Sequence, residues 1–160
     1  AETVDVPDPE RVAVMTQTTL SVADTAHVIA ILRKRFPRLS TPAKSDICYA
    51  THNRQRAVRY LAQIADLILV LGARNSSNTN RLAEVARACE AEAYLVTSLD
   101  DLPEDAVSKA QTIGITAGAS TPESFVSEVT CFLQKTWQVE LSEETIVEED
   151  LHFRVPKKLC

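Results

Sequence analysis

Residues 66–72 read DLILVLG, and residues 73–81 read ARNSSNTNR. The first stretch is an apolar run of strand length, closed by a glycine. The second is a loop of small amides and hydroxyls that leads into a helical pattern. An apolar run with no polar alternation suits a strand covered on both faces, which is the situation in parallel α/β sheets. The chain has only three glycines, so this loop is built from polar side chains and not from a flexible glycine turn.

Outward from there the alternation continues. TNRLAEVARACEA (79–91) predicts a helix, EAYLVTS (92–98) a strand, and DLPEDAVSKA (101–110) a short helix with Pro103 near its first turn. QTIGIT (111–116) predicts a strand, and TPESFVSEVTCFLQKTW (121–137) a helix opening with Pro122. On the N-terminal side, DICYATHNRQRAVRYLAQIA (46–65) begins extended and becomes a helix with Val58, Leu61, Ala62 and Ala65 on one face. Before it, RVAVMTQT (11–18) is a short apolar run read as a strand. SVADTAHVIAILRKRF (21–36) is a helix, with Val22, Ala26, Ile29, Leu32 and Arg33 at helical spacing and a capping-box-like start at Ser21 and Asp24. The fold class expected is α/β, with parallel sheets covered by helices.

The boundary falls near 40–46. Residues 1–45 supply one strand–loop–helix unit, which is too small to bury a sheet of its own and reads as the end of a preceding α/β domain. Residues 46–137 form a complete small α/β layer, and 138–160 a tail. Within the tail, IVEEDLHFRV (146–155) reads either as a final strand or as an arm that packs elsewhere.

A net charge of −5 with no basic stripe argues against a general nucleic-acid binder. No apolar run approaches the roughly 18 residues of a membrane span, and AETVDVPDPE lacks a signal-peptide pattern, so a cytoplasmic protein is expected. The four cysteines, Cys48, Cys89, Cys131 and Cys160, form no C-x-x-C pair and no disulfide framework. Cys89 and Cys131, in helical stretches with apolar neighbours, are expected in the core. Cys48 stands where an extended piece meets a helix. A helix N-terminus favours the thiolate, the form that ligates metal; a buried structural cysteine is the rival reading. His27, His52 and His152 suggest no triad, and Arg54 and Arg56 read as solvated or structural.

Three strand-to-helix junctions share one composition: MTQTTLS (15–21), ARNSSNTNR (73–81) and TAGASTPE (116–123). In a parallel α/β sheet such junctions lie at the carboxyl edge of the strands, where ligands bind. Hydroxyls and amides beside the first N–H groups of a helix suit a phosphate or diphosphate. Ser, Thr and Asn are also the preferred N-caps, so plain capping remains an equal alternative. Neither GxxxxGK[ST] nor GxGxxG occurs.

In order and spacing, MTQTTLSV, RKRFP, DICYATHNRQ, ARNSSNTNRL and ITAGASTPE strongly resemble the LytB/IspH family of 4-hydroxy-3-methylbut-2-enyl diphosphate reductases, across nearly the whole chain. The resemblance implies a three-domain α/β enzyme around a 4Fe-4S cluster, acting in non-mevalonate isoprenoid biosynthesis. Such an enzyme reductively removes the allylic hydroxyl of its substrate to give isopentenyl and dimethylallyl diphosphate. By the resemblance, Cys48 is one of three cluster cysteines, and Thr18 meets the substrate hydroxyl and the proton network. Ser76, Ser77 and Asn78 bind the diphosphate together with Ser120. Family members are about twice as long. Their earlier half carries two more cluster cysteines, the diphosphate-binding histidines and the glutamate acid, none of which has a counterpart here. The chain therefore looks like the C-terminal half, inactive alone, with ferredoxin or flavodoxin as the electron donor of the whole enzyme. The alternative is a non-catalytic phosphate-binding or interaction module of the same fold.

Overall fold

The computed structural model describes residues 1–20, 22–42 and 48–148. Ser21, with the capping role expected of it, lies outside the described residues, as do the extended start at 46–47, His152, Cys160 and most of the stretch 146–155. Helix α1 spans Val22–Arg35 and α2 spans Tyr49–Ile64. There follow β1 (Leu67–Leu71), α3 (Ser77–Ala88), β2 (Glu92–Val96), a 3-10 turn at Leu99–Asp101, α4 (Glu104–Val107), β3 (Ile113–Ala117) and α5 (Glu123–Trp137).

The three strands form one parallel sheet in the order β2-β1-β3, with Leu67 in register with Glu92 on one side and Ile113 on the other. Every residue of β1 is buried, which is why it carries no polar alternation. Its side chains divide by parity, as the two-residue period of a strand requires. Ile68 and Val70 pack with Val58 of α2 and with Leu82, Ala83 and Ala86 of α3. Leu67, Leu69 and Leu71 pack on the opposite face with Val107 of α4 and Val129 and Leu133 of α5. Each such side chain contributes about 1.5–3 kcal/mol by burial, so the central strand anchors both helical layers.

The connections fix where a ligand can sit. From β1 the chain leaves through α3 on one face, and from β3 it leaves through α5 on the other. Since β1 and β3 are neighbours, their outgoing loops diverge, and the carboxyl edge between them is the switch point of an open α/β sheet, the position of the ligand crevice in such folds.

Three expectations are corrected. The run 11–18 forms no regular strand: its pairing is a single parallel bridge between Ala13 and Ser40. Val14 N–H donates to Ser40 O and Ser40 N–H to Val12 O, both within 3.0 Å, and among the described residues no further pairing extends this bridge into a ladder. Cys89 and Cys131, expected in the core, are exposed. Cys89 is the C-cap of α3 and lies past the helix's buried face. Cys131 lies midway between Val129 and Leu133, the buried residues of α5, and half a turn from each it points outward.

Candidate functional site

The carboxyl edge gathers four segments. Helix α2 runs antiparallel to β3: Leu61 and Ala65 lie against Gly114, while the Arg54 guanidinium donates to Ala117 O at the strand's end, 2.9 Å away. Of the two readings of Arg54, solvated or structural, this bond supports the structural one. Cys48 is six residues further toward the N-terminus, about 9 Å along the axis, and so projects beyond the sheet edge. It is the N-cap of α2, with extended backbone (φ −60, ψ 133) and no side-chain cap bond. Cys48 is exposed, so the described residues do not bury it.

The Cys48 N–H donates to Thr18 O at 3.1 Å. This bond brings together two candidate residues that stand far apart in sequence. Thr18 is exposed, at the centre of a turn that Leu20 N–H closes by donating to Gln17 O at 3.3 Å.

At the end of β1, Gly72 has φ +142, and an added Cβ would lie 2.7 Å from the hydroxyls of both Thr79 and Thr121. The chain then turns through Ala73–Asn75 to Ser76, the N-cap of α3. Its Oγ accepts from Thr79 N–H at 3.3 Å. Capping is therefore real at Ser76, but a hydroxyl that accepts keeps its own hydrogen for a further acceptor. Ser77 is exposed. Asn78 is only 9% exposed, and neither its Oδ1 nor its Nδ2 has a hydrogen-bond partner. A buried carboxamide with both ends unpaired carries a penalty of about 1–3 kcal/mol for each lost bond. Capping accounts for Ser76 and leaves Asn78 unexplained.

The third loop begins at Gly118, whose N–H donates to Leu71 O at 2.9 Å, and the Thr121 hydroxyl donates to the same carbonyl at 3.0 Å. Ser120 lies between them and is exposed. Thr121 and Thr79, which tie the two loops together, were not singled out from the sequence. The only available signal was that two of the three glycines end adjacent strands.

The first turns of α2 and α3 contain no acid, whereas α5 begins with Glu123, so the N-terminal ends of α2 and α3 carry no carboxylate of their own to offset the helix dipole. On the far side of α3's entry loop, Asp101 accepts from the hydroxyl and the N–H of Thr97, and Arg74 pairs with it at 3.1 Å. The Thr97 bonds, followed by the Arg74 charge, hold the Asp101 carboxyl below its ordinary value of 3.8. Because the folded pKa is depressed, the contribution is present above the unfolded pKa and is lost as pH falls through the folded one. An Asp101→Asn protein is expected to be less stable than wild type near neutral pH. The two should converge in acid, below the usual carboxyl range, in urea unfolding measured across that window. A difference that persisted undiminished in acid would assign it to shape and not to charge.

Among the described residues, no three His, Cys, Asp or Glu side chains come together as a metal would need, and no helix is long and apolar enough to cross a membrane. One exposed thiol at a helix mouth fits one corner of a cluster, and the remaining donors would have to come from elsewhere.

Fold and site together define a parallel α/β unit in which loops of hydroxyls and amides, one of them capping α3 through Ser76, gather at one sheet edge beside a thiol. The chain belongs to the LytB family, whose model, described as LytB protein, matches residues 1–134. The 4-hydroxy-3-methylbut-2-enyl diphosphate reductase of Serratia proteamaculans (strain 568) is 50% identical over 156 residues, 98% of this chain and 49% of that relative. The enzyme of the same name from Cronobacter sakazakii is 49% identical over the same shares. Among solved structures, the E-1-hydroxy-2-methyl-but-2-enyl-4-diphosphate reductase from Plasmodium falciparum superimposes with a TM-score of 0.86 at 29% identity, over 98% of this chain and 50% of that one. The chain spans about half the length of the curated relatives it matches.

Proposed function

We propose that the chain acts as the C-terminal half of a 4-hydroxy-3-methylbut-2-enyl diphosphate reductase, with residues 1–45 completing a second α/β domain, 46–137 forming a third and 138–160 an arm. The observation that carries this reading is Asn78: a buried, unpaired carboxamide at the mouth of α3, directly after a capping serine and an exposed one. Its Nδ2 is a donor in search of an acceptor, and a diphosphate oxygen is an acceptor that also suits a helix end with no carboxylate of its own.

In this reading Ser76, Ser77 and Asn78 hold the diphosphate from one side of the crevice and Ser120 from the other. Neutral donors in a closed site position the allylic carbon without the mobility of long basic side chains. Thr18, beside Cys48 through the backbone bond, takes the substrate hydroxyl and keeps its proton network in place. Cys48 is one thiolate ligand of a 4Fe-4S cluster. When bound, such a cluster supplies the electrons and a Lewis-acidic iron. The remaining ligands, the diphosphate-binding histidines and the carboxylic acid that protonates the leaving hydroxyl come from the other half, and ferredoxin or flavodoxin delivers electrons to a cytoplasmic enzyme.

The test uses the full-length protein that carries this chain, with 4-hydroxy-3-methylbut-2-enyl diphosphate, dithionite and a viologen. Reductive dehydroxylation is expected. Ser77→Ala should raise KM about 10-fold, since a hydrogen bond to a charged group is worth about 1.5 kcal/mol or more. A protein that binds inorganic diphosphate, contains no iron and leaves the substrate unchanged would instead be a non-catalytic binding module.

A further inference from the structure

We infer that Gln55 is a positioning residue that clamps the Thr18 turn onto the helix carrying Cys48. Gln55 lies on α2 seven residues after Cys48, two turns on and on the same face. It is fully buried, and its Nε2 donates to Leu20 O at 3.2 Å. Turn 17–20 is therefore held at two points by one helix: Cys48 N–H grips Thr18 O, and the Gln55 side chain grips Leu20 O. With the first bond alone the turn could pivot about it; with both, the turn that carries Thr18 is fixed against the backbone of α2 at Cys48.

Packing alone does not account for this residue. The Gln55 Oε1 is buried with no partner, a burden that an apolar side chain of the same length would not carry. What the glutamine offers is its single bond to Leu20. Neither end of that bond belongs to the candidate ligand set, so Gln55 acts through Thr18.

The inference rests on the function proposed above for its catalytic consequence, but its structural part is independent of it. In the full-length protein, Gln55→Met removes both the bond and the unpaired oxygen while keeping the volume. Thermal stability should stay level or rise. Amide exchange at Cys48 should speed up about 10-fold or more as the turn loosens, while exchange in β1 is unchanged. With the substrate, kcat should fall about 10-fold or more and KM stay within about twofold, because the diphosphate donors are untouched. Unchanged exchange at Cys48 with unchanged kcat would overturn the proposal, as would a uniform rise in exchange that includes β1. If the variant does not fold, the wild-type protein decides. The Gln55 side-chain amide hydrogens should exchange slowly, and exchange at the rate of a free carboxamide would refute the clamp. If wild-type protein fails to turn over the substrate, the functional reading falls while the exchange measurements still decide the clamp.

Discussion

Replacing Cys48 by serine is expected to leave the chain as stable as before, or more so, while abolishing iron binding and turnover in the full-length protein. The two effects have separate physical origins. Cys48 is the N-cap of α2 and makes no side-chain cap bond. Serine is among the best N-caps because its oxygen accepts an N–H of the first turn, and it should add about 0.5–1 kcal/mol. The Cys48 N–H that donates to Thr18 O belongs to the backbone and survives the change. An alkoxyl, however, does not replace a soft thiolate on iron. Loss of a direct ligand should exceed the 10–100-fold typical of outer-shell changes, so turnover should fall by more than about 100-fold. Iron and acid-labile sulfide, read beside a thermal melt, separate the outcomes. A variant that keeps its iron and its rate would remove Cys48 from the ligand set. A variant that loses both stability and iron would make the cysteine structural.

Much of this architecture was legible from the sequence. Within DLILVLG, the five residues after Asp66 are apolar without alternation, which suits a doubly covered strand, and β1 is buried throughout. The helices from Ser77 onward followed from apolar spacing, and the polar junctions from their composition. What escaped reading was whatever depends on a partner. The run 11–18 has a strand's composition, yet a strand needs neighbours, and among the described residues Ser40 provides a bridge and not a ladder. Cys131 has apolar neighbours in sequence, but the phase of α5 against the sheet decides exposure, and Val129 and Leu133 take the buried positions. Gln55 in NRQ looks like one more polar helical residue until Leu20 is found opposite its amide. Asn78 looks like capping until Ser76 is seen to supply the cap, which leaves Asn78 without a structural task.

Thr79 is the contact on which both edge loops turn, and the two glycines packed against it give the largest stability effects expected in the chain. Its side chain is fully buried between the ends of β1 and β3, and its hydroxyl has no partner. An added Cβ on Gly118 would lie 2.2 Å from that oxygen, closer than any contact two such atoms sustain. Gly118→Ala therefore forces Thr79 or the loop aside, at about 1–3 kcal/mol. Thr79→Ala alone should change stability by less than about 1 kcal/mol, because lost methyl burial is offset by removal of an unpaired hydroxyl. The double variant should recover most of the Gly118→Ala loss, a coupling of about 1–2 kcal/mol between residues in contact. Gly72→Ala should behave differently. Its φ of +142 is strained for any residue with a Cβ, and the Thr121 hydroxyl, held by its bond to Leu71 O, stands 2.7 Å from the new atom as firmly as Thr79 does. Strain and clash together should exceed about 3 kcal/mol, and Thr79→Ala should not rescue it. Chemical denaturation of the three single and two double variants checks this pattern. Additive losses at Gly118 and Thr79 would show that the loops adjust independently. The two sides of the crevice would then not be held at a set separation, and a diphosphate spanning Ser77 and Ser120 would have to draw them together on binding.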